Sequence, residues 1–162
     1  MELLATIWNN HTLLIPISAT VAVQLFKFVW ESVRLRRWAW PVLFRTGGMP
    51  SSHSAMVTSL ATAVGVNYGF ESGLFAVSIV LALIVMYDAR GVRQESGQHA
   101  RILNQIVREM FSGQPISERE LKELLGHTST EVFVGAVVGI LYTLLLLYLT
   151  AVTGEGVNFV EE

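Results

Sequence analysis

Gly47-Gly48-Met49-Pro50-Ser51-Ser52-His53-Ser54-Ala55 marks the point where a basic, aromatic loop turns into an apolar helix. The two glycines free the backbone, the proline fixes its direction, and Ser51 and Ser52 are natural N-cap residues. His53 then falls in the first turn of the helix that follows. A helix N-terminus carries unpaired N–H groups and a partial positive charge, so it favours anions. The small side chains let an anion approach, and a histidine beside it can move a proton. Taken alone, the stretch fits two readings: an anion site, or a capped helix with an incidental histidine at a membrane surface.

The surrounding chain places this stretch at a membrane. Of 162 residues, 52% are hydrophobic and only 15% charged, with a mean hydropathy of +0.50. That is too apolar and too charge-poor for an ordinary soluble domain. The net charge of −2 says nothing about nucleic acid, but the placing of the charges is informative. All 11 Lys and Arg lie in two windows, Lys27 to Arg45 and Arg90 to Lys122. With no cysteine there is neither a disulfide nor a thiolate to serve as nucleophile or metal ligand. The N-terminal Met1-Glu2-Leu3-Leu4 lacks the basic region of a cleaved signal peptide.

Read outward from Gly47, the apolar segments are long enough to cross a bilayer, for which roughly 20 residues are needed. Leu13 to Trp30 is apolar apart from small hydroxyls, Gln24 and Lys27, and the helix is free to continue through Glu31 and Arg34. Lys27 lies near the end, where its stem can snorkel. Arg34 to Arg45 mixes arginine with Trp38 and Trp40, the composition of a headgroup layer, and Pro41 breaks the helix there. Ser52 to Tyr68 is short and rich in Ala, Ser, Thr and Gly, which suits close helix contact more than lipid exposure. A turn over Asn67 to Gly73 leads to a third apolar helix that ends at Tyr87 and Asp88. Gln98 to Phe111 reads as an amphipathic helix with Ile102, Leu103, Ile106, Val107 and Met110 on one face. Ser117-Glu118-Arg119-Glu120 starts a short helix that Gly126 ends. Val132 to Val152 carries no charge, and Gly135 and Gly139 give it a packing face of small residues.

The expectation is an all-α, integral membrane helical bundle forming one domain over residues 1–162. About four transmembrane helices cover 13–30, 52–68, 70–87 and 132–152. Amphipathic or interfacial helices lie on the cytoplasmic side, within the segments 31–51 and 88–130. Both basic windows fall on one side, which the positive-inside rule assigns to the cytoplasm.

This topology gathers the polar features on one membrane face, where charges near helix ends are costly and often functional. Lys27 and Arg34 are seven residues apart, two turns of one helix, so they share a face on which two cations can hold a phosphate. Snorkelling at the interface is the competing role, more so for Arg34 than for Lys27. His127 and Glu131 are four apart, so on a helix the carboxylate can orient the imidazole. Thr128 to Glu131 is equally a capping box, which would occupy Glu131 with backbone and leave His127 just before the helix. Arg90 and Arg93 can bind phosphate or headgroups, and Asp88 fits a structural ion pair. His11 and His99 have no evident partner.

These residues, in this order, resemble the type 2 phosphatidic acid phosphatase superfamily, which also includes vanadium haloperoxidases and bacterial acid phosphatases. The likeness is greatest to its small divergent membrane branch. The superfamily's first motif is Lys, six residues, Arg-Pro; Lys27 and Arg34 keep the spacing, with Leu35 at the proline. The second is Pro-Ser-Gly-His, matched by Pro50-Ser51-Ser52-His53 with Ser52 at the glycine. The third is Ser-Arg, five residues, His, three residues, Asp; His127 and Glu131 match its end, with Leu121 at the arginine. Lys122 stands one residue away, and Arg90 or Arg93 can substitute, since the branch carries a similar Asp-Ala-x-Gly-Val-Arg segment. The resemblance runs from about Lys27 to Gly139.

The resemblance implies a metal-independent, cofactor-free membrane phosphatase acting on a lipid phosphate monoester or polyprenyl (pyro)phosphate. It gives His127 the role of nucleophile, Glu131 that of its orienter and His53 that of acid and base. Lys27, Arg34, Ser51, Ser52, Arg90, Arg93 and Lys122 would bind phosphate, with Asp88 nearby. Partners would be the lipid substrate and the bilayer, not nucleic acid, and helix packing could also join copies of the chain. The alternatives are a weakened relative that binds headgroups as a scaffold or transport component, and a structural membrane subunit packed through Gly135 and Gly139.

Overall fold

The computed structural model describes residues 2–44, 47–110 and 128–153, with only backbone described at 2, 3, 5, 92–98, 101 and 109. All regular elements among them are helical. A short α1 (Glu2–Trp8) precedes α2 (His11–Leu35), and a 3₁₀ turn follows at Trp40–Phe44. Then come α3 (Ser52–Tyr68), α4 (Gly73–Arg90), α5 (Val92–Met110) and α6 (Ser129–Thr153). The molecule is the helical membrane bundle that the hydropathy predicts.

Three helices, α2, α4 and α6, are long and apolar enough to cross a membrane. The fourth expected span differs. α3 has 17 residues, about 25 Å of helix against a hydrocarbon core of about 30 Å, and it packs against each of the other three. Its Ala, Ser, Thr and Gly side chains are the physical reason. They offer little apolar area to lipid but let neighbouring backbones come close. Ser54, Ala55, Ser59 and Ala63 on it are completely buried, while α2, α4 and α6 carry most of the exposed large apolar side chains.

Side-chain pairs fix the relative directions of the helices. Ser51 lies beside Glu131 and Ser59 beside Thr143, so α3 and α6 run parallel. Asn67 donates to the Thr12 hydroxyl (2.9 Å), and Lys27 meets the loop just before α3, so α2 and α3 run antiparallel. A tight turn at Gly69–Ser72 reverses the chain into α4, with Ser72 capping its N-terminus. The C-terminal ends of α2 and α4 and the N-terminal ends of α3 and α6 therefore lie at one end of the bundle.

Helix α2 ends before the proline expected to break it. Arg36 adopts the left-handed conformation (φ 51°) and its N–H reaches back to the Ser32 and Val33 carbonyls. Pro41 sits instead inside the 3₁₀ turn. That turn doubles back along α2. Ala39 N–H donates to Ser32 Oγ (3.0 Å), Gln24 Nε2 to the Leu43 carbonyl (3.2 Å), and Lys27 Nζ to the Gly47 carbonyl (3.3 Å). The rings of Phe28, Trp38 and Trp40 stack on one another, with centroids 5.0 to 5.9 Å apart. Such pairs add about 0.5–1.5 kcal/mol each beyond area burial, enough to hold a short loop against a helix.

Candidate functional site

The site end is built from the start of α3. Gly47 and Gly48 have φ of 104° and 80°, values that side-chain-bearing residues rarely adopt, and they turn the chain toward α3 beside Lys27. Ser51 is the N-cap. Its Oγ accepts from the Ser54 N–H (3.3 Å) and from the Ser54 hydroxyl (3.0 Å). The Ser52 and His53 N–H groups lie in the first turn, where helix geometry provides no intrahelical acceptor. Ser51, Ser52 and Ser54 are buried and His53 is half-buried.

Helix α6 is docked directly on this cap. Ser51 N–H donates to the Glu131 carbonyl (3.1 Å). The contact is possible because position 135 is glycine. A Cβ there would overlap the Ser51 carbonyl oxygen and sit 3.0 Å from Ser51 N. One turn on, a Cβ at Gly139 would overlap the Ala55 carbonyl and the Thr58 hydroxyl. Thr58 Oγ1 reaches the Ala136 carbonyl (3.1 Å), and the Ser59 and Thr143 hydroxyls meet at 2.6 Å. The small-residue face of α6 is thus used within the chain, on α3.

Glu131 takes the capping-box arrangement. Its Oε2 accepts from Thr128 N–H (3.1 Å), and its own N–H donates to Thr128 Oγ1 (3.3 Å). Its negative charge in the first turn suits the helix N-terminus, and it acts electrostatically on Lys27. Lys27 is 6% exposed and turned inward to the Gly47 carbonyl, so it does not snorkel. Arg34 points away: it is 67% exposed and pairs with Glu31 (3.8 Å).

The structure therefore brings together Lys27, the Ser51–Ser52 cap, His53 in the first turn and the Glu131 segment. It leaves Arg34 outside that group. Asp88 is half-buried and Arg90 exposed in the last turn of α4, at the same end of the bundle. Arg93 lies in the first turn of α5, with only its backbone described. His127, Lys122 and the short helix expected after Ser117 fall outside the described residues. Among the described residues no three His, Asp or Glu side chains come together as metal ligands would. Gln24 was not singled out from the sequence, yet with Lys27 it supplies the donors for the returning loop. The available signal was their spacing of three, which puts two polar groups on one face of an apolar helix.

Fold and site together define a helical integral membrane protein whose polar helix ends are gathered on one side. The chain belongs to the Divergent PAP2 family, which it matches over residues 8–142. It is 40% identical to the uncharacterized membrane protein YuiD of Bacillus subtilis (strain 168) over 159 residues, covering 91% of this chain and 98% of that one. No solved structure matches the chain.

Proposed function

We propose that the protein is a membrane phosphatase acting on a lipid phosphate monoester or a polyprenyl (pyro)phosphate, with its active end on the cytoplasmic side. The observation that carries this reading is the bond from Ser51 N–H to the Glu131 carbonyl, which docks the cap before His53 onto the start of α6, the stretch that follows His127 in sequence. In the proposed reaction a ring nitrogen of His127 attacks phosphorus as the bond to the ester oxygen breaks. His53 gives a proton to the leaving alcohol. Water, deprotonated by His53, then cleaves the phosphohistidine and releases phosphate and free His127. Lys27 and the N–H groups of Ser52 and His53 would stabilise the charge on the phosphoryl oxygens. The distribution of all Lys and Arg supports the cytoplasmic side.

A second reading has its own support. Glu131 is engaged with Thr128, and Leu121 stands where the resembled pattern has arginine. A protein that binds lipid phosphates without turning them over fits both facts. Phosphate release from lipid phosphates by the purified protein in mixed micelles separates the two. Release that is lost in both His127→Ala and His53→Ala supports the phosphatase. Binding of the same lipids without release supports the second reading. Release by His127→Ala equal to that of the unaltered protein would remove the assigned nucleophile.

A further inference from the structure

The turn Trp40–Phe44 brings the basic loop back along the bundle. Its depth follows from α2. That helix has 25 residues, about 37 Å, against a hydrocarbon core of about 30 Å. Asn9, Asn10 and His11 mark the far boundary. The near boundary then falls about 20 residues on, at Trp30 and Glu31, where the first charges after Lys27 occur. Gln24, which holds the Leu43 carbonyl, lies seven residues deeper, about 10 Å inside. Tilting α2 would only deepen it.

Irregular backbone at that depth requires its carbonyls to be satisfied by protein. Gln24 and Lys27 do this for Leu43 and Gly47. Several of the turn's side chains nonetheless face outward. Phe44 is 91% exposed and Trp40 57%, and Trp38 just before the turn is 71% exposed, while Val42 and Leu43 are half-buried. Arg36 and Arg37 are exposed just past the end of α2, and no acidic residue occurs between Glu31 and Glu71.

We infer that Trp40–Phe44 is a re-entrant, bilayer-inserted surface that packs on the acyl chains of acidic phospholipids, with Arg36 and Arg37 at the level of their headgroups. Depth selects lipid as the occupant, and the sign of the charge selects acidic lipid. The inference does not depend on turnover at the neighbouring site, because a protein without activity would carry the same wedge.

The absence of cysteine allows a single spin label at Phe44→Cys in the full chain, reconstituted in phosphatidylglycerol/phosphatidylcholine vesicles. The expected result is high collision with oxygen and low collision with an aqueous nickel chelate, as for a label at Phe26→Cys on the exposed face of α2. Collision with the nickel chelate overturns the inference, because the turn is then in water. Low collision with both reagents also overturns it, because protein, such as a second copy, then covers the turn. A second measurement leaves Phe44 intact. The emission assigned to Trp40, taken as the difference between the unaltered protein and Trp40→Phe, should be largely quenched by lipids brominated on their acyl chains. Brominated phosphatidylglycerol should quench more than brominated phosphatidylcholine at equal mole fraction, and Arg36→Gln with Arg37→Gln should abolish that difference. Equal quenching in the unaltered protein overturns the acidic-lipid assignment.

Discussion

The α3–α6 seam and the α4–α5 arm are built by opposite means. Along the seam, glycine on one helix receives backbone from the other, and hydroxyls close the polar gaps. There is almost no apolar bulk in it. The arm begins at Gly91, and α5 leaves Ile102, Leu103, Ile106, Val107 and Met110 exposed, while Asn104 is buried. A soluble protein would turn that helix the other way. The difference shows where shape matters in this molecule. In a membrane, apolar surface alone gives helices little reason to associate, so the precise contact is made by small and polar residues. The candidate site lies at the head of the seam.

Five substitutions would sharpen or break the comparison. Gly139→Leu forces a side chain into the space held by Ala55 and Thr58. We expect a loss of at least about 1–3 kcal/mol, the usual result of overpacking, and a corresponding fall in the thermal unfolding midpoint in detergent. An unchanged midpoint would mean that the seam is not tight. Thr128→Ala removes half of the capping box at the start of α6 and should cost about 1 kcal/mol. Glu131→Gln keeps a cap oxygen and should unfold close to the unaltered protein, so any loss of phosphate release in it would report charge rather than folding. Ser59→Ala removes the interhelical hydroxyl bond and should cost about 0.6 kcal/mol, the average for such bonds in membranes. Ile106→Ser on the arm should shift the midpoint least, within about 0.5 kcal/mol. A larger effect there would show that the arm is packed as firmly as the seam.

The sequence carried the parts that depend on local pattern. The start of α3 at Ser52 and its end at Tyr68 agree with the stretch expected from Ser51 and the small-residue composition. The glycine spacing of α6 correctly marked a packing face, and Thr128 to Glu131 correctly offered a capping box. Boundaries that depend on capping were less legible. α2 stops at Arg36, whose left-handed turn no glycine or proline announces. The returning loop was the least legible: the spacing of Gln24 and Lys27 marks two polar groups on one face but not what they bind. Its carbonyls are satisfied by Gln24 and Lys27, about twenty positions earlier, and such a pairing has no periodic trace. A local pairing, by contrast, separated Lys27 from Arg34. Their spacing put them on one face, but Glu31 supplied Arg34 with a nearer partner.

The directions of the four helices α2, α3, α4 and α6 have an electrical consequence. α3 and α6 point one way along the bundle, and α2 and α4 the other. Each helix carries about half an elementary charge at either end, of opposite sign. Two up and two down largely cancel, so these four helices together carry almost no net dipole along the bundle axis. The membrane potential, worth about 2.3 kcal/mol per charge per 100 mV, can therefore exert little pull on the backbone of these four helices. What remains to tell one side of the membrane from the other is the side-chain charge. In this chain every lysine and arginine falls within the two windows Lys27–Arg45 and Arg90–Lys122.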